Sequence, residues 1–239
     1  AIVGGTAHLG NGTVIQNSLI TFESGILQTV SEYKGTEDLS DMEIIDSKEQ
    51  HIYPGFIVPN STLGLIEIDA VRASDDESEL GTWNPHIRSL IAYNTESKVV
   101  ESMRPNGVLL AQITPRGGRI SGTSSIVQLD AWNYEDAAYK ADNGIFINMP
   151  TLLQRRGGRG GFMRQAAADP VKEAMDKIET IKTFFTEARA YLQEKNHTEN
   201  NLKFEAVRGL FAGKQKLYVR ANEVKQMLLA IDLGKTFGF

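Results

Sequence analysis

The chain has 239 residues, of which 41% are hydrophobic, which is ample for one large domain or for a small domain joined to an incomplete larger one. Thirty acidic against 25 basic residues give a net charge of −5 without long runs of one sign, which argues against partners such as nucleic acid or an anionic membrane. The absence of cysteine excludes disulfides and thiolate chemistry. No apolar stretch approaches the roughly 18 to 20 residues that span a bilayer. We therefore expect a soluble protein, cytoplasmic or periplasmic.

The first 54 residues predict a small antiparallel β module. Short apolar runs at 2–3, 14–15, 19–22 and 26–30 are separated by glycine-containing turns, which is the pattern of short strands. The Pro54-Gly55 pair interrupts the next apolar run, and such a pair marks a turn. We therefore predict a first domain at 1–54 and a second at 55–239.

Beyond residue 54, continuous apolar strands alternate with helical stretches, a pattern typical of a parallel sheet that is buried on both faces. The strand candidates are 108–113, 125–129, 144–149 and 217–219. The predicted fold class is therefore α/β.

The clearest helix is predicted to begin at Asp169-Pro170, where an N-cap residue precedes proline at the first helical position. Apolar residues recur at helical spacing through 171–192, which predicts a stripe that faces the core. Two shorter helices are predicted, one at 202–212 that ends at Gly213, and one at 223–233 with Asn222 as its N-cap and Gly234 as its stop.

Two segments rich in arginine and glycine follow predicted strands. The first, 114–119, carries Arg116 and Arg119, and the second, 154–164, includes Arg155, Arg156 and Arg159. The second segment fits a solvated loop, an RNA-binding segment of the Arg-Gly-Gly kind, or a loop that captures an anionic ligand through bidentate arginine contacts. Capture of an anion gains weight from position, because loops after strands form the active face of a β/α barrel.

The four histidines, His8, His51, His86 and His197, are scattered and show neither His-x-His nor His-Glu-x-x-His spacing, so the sequence predicts no metal site from this chain alone. His86 follows the first strand of the second domain, and we expect it near a site. The Gly-Lys-Thr triplet at 234–236 lacks the upstream glycine and strand of a phosphate-binding loop, and no Gly-x-Ser-x-Gly elbow supports a hydrolase triad.

Several of these segments together resemble the amidohydrolase superfamily, specifically its imidazolonepropionase-like branch, over nearly the whole chain. Residues 17–30 resemble a strand-turn-strand signature of the family's β-sandwich, and 45–57 resemble the lead into its first barrel strand. Residues 118–129 are similar to the glycine-rich turn and third strand, and 217–238 to the fifth strand and its helix. The resemblance implies an incomplete (β/α)8 TIM barrel, about its first five strands, preceded by a partial β-sandwich.

The resemblance also implies a hydrolase of non-peptide C–N bonds, commonly in cyclic amides, in which zinc activates water. The family's His-x-His positions hold Asn60 and Thr62 in this sequence, and its fifth-strand histidine position holds Arg220. A guanidinium keeps its positive charge and repels a divalent cation. The sequence thus supports no cofactor for this chain and indicates that the family's metal site is degenerate.

Two functions remain open at this point. One is an amidohydrolase-like enzyme with an altered site, which includes a metal-free mechanism that uses Asn60, Thr62 and His86. The other is a catalytically inactive barrel that binds an anionic small molecule through arginines, namely Arg116, Arg119, Arg155, Arg156, Arg159 and Arg220.

By the same resemblance, the chain ends just before the sixth barrel strand. Five strands would leave two unpaired edges and an uncovered apolar interior, which is unfavourable for a sheet in water. We therefore expect the C-terminal remainder of the barrel as a partner, either in the same product or as a second chain.

Overall fold

The computed structural model describes residues 1–68, 70–152, 169–194 and 196–239, without the side chain of Pro170. The described chain divides into two compact units, Ala1–Phe56 and Ile57–Phe239. No helix within the described ranges is long and apolar enough to cross a membrane.

The first unit is built from seven short strands. These are β1 (Ile2–Val3), β2 (Thr6–His8), β3 (Val14–Ile15), β4 (Ser18–Glu23), β5 (Ile26–Glu32), β6 (Ile45–Asp46) and β7 (His51–Ile52). They form a four-stranded sheet in the order β5-β4-β1-β6 and a three-stranded sheet in the order β3-β2-β7. A small core of Ala1, Val3, Leu19 and Leu39 lies in this unit.

The antiparallel prediction for this unit holds for three strand pairs and is wrong for two. Strands β1 and β4, β4 and β5, and β2 and β3 are antiparallel. Strands β1 and β6, and β2 and β7, are parallel. The parallel pairs join strands that are far apart in sequence, and such connections are long enough for the chain to return in the same direction.

The described part of the second unit contains five strands, the first of which begins at the boundary residue Phe56, and six helices. They are β8 (Phe56–Ser61), α1 (Lys98–Met103), β9 (Val108–Ile113), β10 (Ile120–Gln128), α2 (Tyr134–Ala137), β11 (Ala138–Asn148), α3 (Pro170–Gln193), α4 (Leu202–Glu205), α5 (Arg208–Phe211), β12 (Lys216–Arg220) and α6 (Val224–Phe237). Short 3-10 helices lie at Arg72–Ser74, Ser89–Ala92 and Arg104–Asn106.

The five strands form one sheet in the order β12-β11-β10-β9-β8, which corrects the predicted parallel sheet. Strands β9 and β10 are antiparallel, β10 and β11 are antiparallel, and β11 and β12 are parallel. The connections 114–119 and 129–137 are too short for the crossover of a dozen or more residues that a parallel pair requires. Each of the four predicted strands overlaps an observed one, but β10 and β11 begin five and six residues earlier than predicted. The predicted strand direction is wrong where the connection is short.

The two faces of this sheet differ in chemistry. Ile145 and Ile147 of β11 pack in one core with Ile181 and Phe185 of α3 and Leu233 of α6. Successive side chains of a strand point to opposite faces, so Phe146 and Asn148 of β11, Gln112 of β9, and Tyr218 and Arg220 of β12 lie on the other face. This second face is therefore not the purely apolar interior that the sequence predicts.

The helix predictions are confirmed in position and corrected at the ends. Asp169 caps α3, its carboxylate accepting from the Val171 backbone N–H. The predicted 202–212 helix is two short helices, α4 and α5. Helix α6 is capped by Glu223 rather than Asn222, through a capping box with Gln226.

Gly234 does not end α6, which continues to Phe237 and ends at Gly238 in the left-handed conformation. The last turn forms because Phe237 is buried against Phe185, with their ring centroids 5.5 Å apart. Burial of this aromatic ring outweighs the poor helix propensity of glycine.

Candidate functional site

A polar cluster surrounds Asn60 near the end of β8. The Asn60 Oδ1 atom accepts hydrogen bonds from Thr114 Oγ1 at 3.2 Å, Arg116 Nη1 at 2.9 Å and Arg220 Nη2 at 3.2 Å. Arg116 Nη2 also donates to the Asn60 backbone oxygen at 2.9 Å. Asn60 has a φ of 51°, a left-handed conformation that asparagine tolerates better than most residues. One amide side chain thus holds together β8, the turn after β9, and β12.

Arg220 is half-buried in this cluster, and its hydrogen-bond acceptors among the described residues are all neutral. Besides Asn60, its Nη2 donates to Thr114 Oγ1 at 3.2 Å and to the Pro115 backbone oxygen at 3.0 Å, while Nη1 donates to Ser121 Oγ at 3.3 Å. Burial, together with the positive charge of Arg116, lowers the pKa of Arg220 to about 10, and Glu77 opposes this shift. Arg220 therefore remains a cation at neutral pH.

The cluster carries more positive than negative charge. Among the described residues, one carboxylate approaches its two guanidiniums: Glu77 Oε2 lies 4.0 Å from Arg116 Nε. The segment of Glu77 is held beside the turn by a backbone hydrogen bond, in which the Arg116 N–H donates to the Glu77 oxygen at 2.6 Å. Two guanidiniums and one carboxylate leave a net charge of about +1 in a partly dehydrated place.

Two buried donors of the cluster have no hydrogen-bond partner in the described chain: Arg220 Nε and Gln112 Nε2. Gln112 is joined to the cluster through its Oε1, which accepts from the Asn60 backbone N–H at 3.3 Å. An unsatisfied buried donor costs about 1–3 kcal/mol, and more when it is charged. A ligand rich in acceptor atoms would remove this cost.

Arg119 lies beside the cluster rather than in it. Its Nη1 is 3.5 Å from the Asn148 backbone oxygen, and burial lowers its pKa. The Asn148 side chain donates to the backbone oxygens of Gly117 and Gly118 at 3.0 and 2.9 Å, which fixes the turn that carries both arginines. Gly118 has a φ of 59°, and a Cβ there would lie 3.0 Å from the Thr82 oxygen.

The other predicted site residues are placed elsewhere or are not described. Thr62 begins a turn, its backbone oxygen accepting from the Leu65 N–H at 2.9 Å, and in the described contacts it bonds neither Asn60 nor Arg220. His86 lines a separate open hollow with Tyr191 and residues 199–203. Arg155, Arg156 and Arg159 lie outside the described residues.

His86 is partly buried, and its Nδ1 has no partner in the described chain. Burial and the nearby positive charge of Lys203 lower its pKa, while Glu79 opposes the shift. His86 is therefore held mainly as the neutral imidazole near neutral pH.

Sequence reasoning missed four members of the cluster, namely Glu77, Gln112, Thr114 and Ser121. For Gln112 and Thr114 a signal existed, since both are polar, alternate with Ile113, and sit in or directly after an apolar strand. For Glu77 and Ser121 no local pattern distinguishes them from other polar residues in turns.

Within the described ranges, no group of three or more His, Asp and Glu side chains is placed to hold a metal ion. No family model matches the chain, and no curated protein matches its sequence.

The chain is similar in structure to an amidohydrolase from Thermotoga maritima MSB8, whose crystal structure matches it with a TM-score of 0.79 at 20% sequence identity. The match covers 100% of this chain and 62% of that one, so the chain spans less than two thirds of the length of this relative. At 20% identity the similarity is evidence for the fold alone. We conclude that this chain has an amidohydrolase-like fold.

Proposed function

We propose that this chain uses its amidohydrolase-like fold to bind a small organic carboxylate at the cluster of Asn60, Arg116 and Arg220. The observation that carries the proposal is the half-buried Arg220 guanidinium, whose described partners are all neutral and whose Nε is buried without a partner. Arginine recognises carboxylates through paired hydrogen bonds, which are stronger away from bulk water.

Charge balance favours a carboxylate over a phosphate dianion. Arg116, Arg220 and Glu77 together carry about one excess positive charge, which a single carboxylate neutralises. The planar group also suits the two free donors, the guanidinium Nε–H of Arg220 and the amide of Gln112, both of which need acceptors.

The donor set argues against zinc at this place. Among the described residues, the groups that surround Arg220 are an amide, hydroxyls, a backbone carbonyl and the guanidinium of Arg116, and none of them is a strong zinc ligand. A fixed guanidinium within 3.2 Å of Asn60 Oδ1 would also repel the metal. We therefore favour binding over the metal-dependent hydrolysis of a cyclic amide that the imidazolonepropionase-like resemblance implies.

The test is a titration with acetate, benzoate and succinate, with inorganic phosphate for comparison, followed by calorimetry and by NMR of the arginine Nε–H signals. We expect carboxylates to bind and to shift the Arg220 signal. The decisive variant is Asn60→Asp, which places an internal carboxylate between the two guanidiniums at almost unchanged volume. It should weaken carboxylate binding by tenfold or more, equivalent to about 1.4 kcal/mol.

The matched control is Asn200→Asp, which makes the same charge change at an exposed position outside the cluster contacts. Unchanged binding in Asn60→Asp, equal losses in both variants, or no carboxylate binding at all would overturn the proposal. One equivalent of tightly held zinc together with turnover of a cyclic amide would favour the hydrolase instead.

A further inference from the structure

Two histidines that are far apart in sequence meet in the first unit. The Nε2 atom of His8 lies 2.8 Å from the Nδ1 atom of His51, and the two residues are 43 positions apart. The ring centroids are 5.1 Å apart, and the two rings contact each other through these two nitrogen atoms. A proton shared between the nitrogens accounts for this contact when no other ligand is bound.

The backbone fixes the two histidines relative to each other. His8 ends β2 and His51 begins β7, and these neighbouring strands pair in register, with Thr6 opposite His51 and Ala7 opposite Ile52. Strand β2 is the middle strand of its sheet, between β3 and β7. The pair is therefore placed by hydrogen-bonded strands rather than by a loop.

An aromatic neighbour orients one of the rings. The His8 ring stacks on Tyr53, with centroids 4.4 Å apart and an angle of 7° between the planes. In the described chain neither histidine bonds a carboxylate, and the second nitrogen of each ring has no hydrogen-bond partner. His51 is exposed and His8 is partly exposed, so solvent reaches the pair.

We propose that His8 and His51 chelate a divalent transition metal, Cu(II) or Ni(II) in preference to Zn(II), with water completing the coordination. Imidazole nitrogen suits these metals, and among the divalent ions Cu(II) binds such sites most tightly. A metal about 2.0 Å from each of two nitrogens 2.8 Å apart subtends an angle of about 90°. This is the angle of a tetragonal site and is narrower than the tetrahedral angle that zinc adopts.

Binding requires a small local change. The ring that donates the shared proton loses it to solvent and takes up a proton on its outer nitrogen, so both imidazoles stay neutral and both facing nitrogens offer a lone pair to the metal. Small changes in the side-chain torsions then direct both lone pairs at the ion. The site involves only residues of the first unit and does not rest on the proposed carboxylate binding.

The experiment titrates the full chain with Cu(II), Ni(II) and Zn(II) separately and follows binding by calorimetry. For Cu(II), electron paramagnetic resonance counts the coordinated nitrogens. We expect one equivalent of Cu(II) with two imidazole nitrogens, and weaker binding of Zn(II). His8→Gln and His51→Gln should each weaken Cu(II) binding by tenfold or more, whereas His197→Gln, in the second unit, should leave it unchanged.

The electron paramagnetic resonance spectrum of the wild-type chain with Cu(II) counts the coordinated nitrogens directly. It therefore tests the proposal even if a variant does not fold. A spectrum with one nitrogen or with none, Cu(II) binding equal in all three variants, or zinc binding tighter than copper would each overturn the proposal. A pair that only shares a proton would show no stoichiometric copper binding.

Discussion

The guanidinium carbon of Arg220 lies 4.6 Å from the centroid of the Phe146 ring. Asn148 is opposite Arg220 in the register of β11 and β12, so Phe146 is the diagonal neighbour on the same face. The aromatic ring supports the cation from one side, and Asn60 and Thr114 accept its hydrogen bonds. This arrangement positions a charge without neutralising it, which suits a binding group better than a structural ion pair.

Substitution of Arg220 tests separately what this side chain contributes to stability and to carboxylate binding. We expect Arg220→Met to change the free energy of unfolding by no more than about 1 kcal/mol, because the lost hydrogen bonds are offset by removal of a poorly neutralised charge. A structurally paired buried ion would instead cost about 3–5 kcal/mol. Denaturant unfolding at pH 7 measures the change, and carboxylate titration should show that binding is lost. A loss in the larger range would mean that Arg220 is mainly structural.

Gly144 is predicted to tolerate no side chain. A Cβ there would lie 2.4 Å from the Tyr218 ring and 2.6 Å from the Lys216 oxygen on the neighbouring strand. Gly144→Ala should therefore destabilise the protein by about 1–3 kcal/mol, as overpacking does. The midpoint of denaturant unfolding provides the measurement, and a midpoint equal to that of the wild type would contradict it.

Substitution of Gly234 by alanine should have the opposite effect on stability to the same substitution at Gly144. It lies inside α6, its φ is not in the left-handed region, and the nearest atom to an added Cβ is the Phe239 oxygen at 3.8 Å. Gly234→Ala should stabilise the chain by about 0.5–1 kcal/mol, because alanine has the better helix propensity and restricts the unfolded chain. The same unfolding assay applies, and a destabilised variant would show that the last turn of α6 needs glycine.

The lowered pKa of His86 predicts that the folded chain loses stability as the pH falls. Burial and Lys203 lower the pKa of His86 in the folded chain, so the unfolded chain binds more protons as the pH falls through the ordinary histidine range. His86→Gln removes this contribution. From pH 7.5 to pH 5.5 the wild type should therefore lose more unfolding free energy than the variant.

A suitable control is His197→Gln, because His197 faces Glu194 at 3.4 Å and has a different environment. Parallel curves for the wild type and His86→Gln would refute the role given to His86.

Local patterns predicted the helices and strands that depend on local chemistry. Helix α3 begins at Asp169-Pro170 as expected because a cap and a first-turn proline act within a few residues. The predicted parallel direction of β10 is wrong, because the short connection at 114–119 is a turn between antiparallel strands and not a loop of a β/α unit. Apolar composition alone does not distinguish the two arrangements.

The candidate site was predicted only in part, for a related reason. The sequence singles out Asn60 and Arg220, but their hydrogen bond joins residues 160 positions apart on β8 and β12, the two edge strands of the sheet. Nothing in the local sequence pattern indicates that the side chains of two edge strands meet across one face of the sheet. The contact between His8 and His51 depends on the register of β2 and β7, and the spacing of the two residues in the sequence does not indicate it. Contacts of this kind can be predicted only once the pairing of the strands is known.

The antiparallel run β9-β10-β11 also orders the assembly of the site in time. Its strands follow one another closely in the chain, whereas β12 pairs with β11 only after the whole of α3 has intervened. Closing a long loop costs more chain entropy and delays pairing. We therefore expect the meander to form first and Arg220 to join it with the last strand. A partial opening that releases β12 and α6 should disrupt the cluster around Asn60 while the amides of the meander stay protected from exchange.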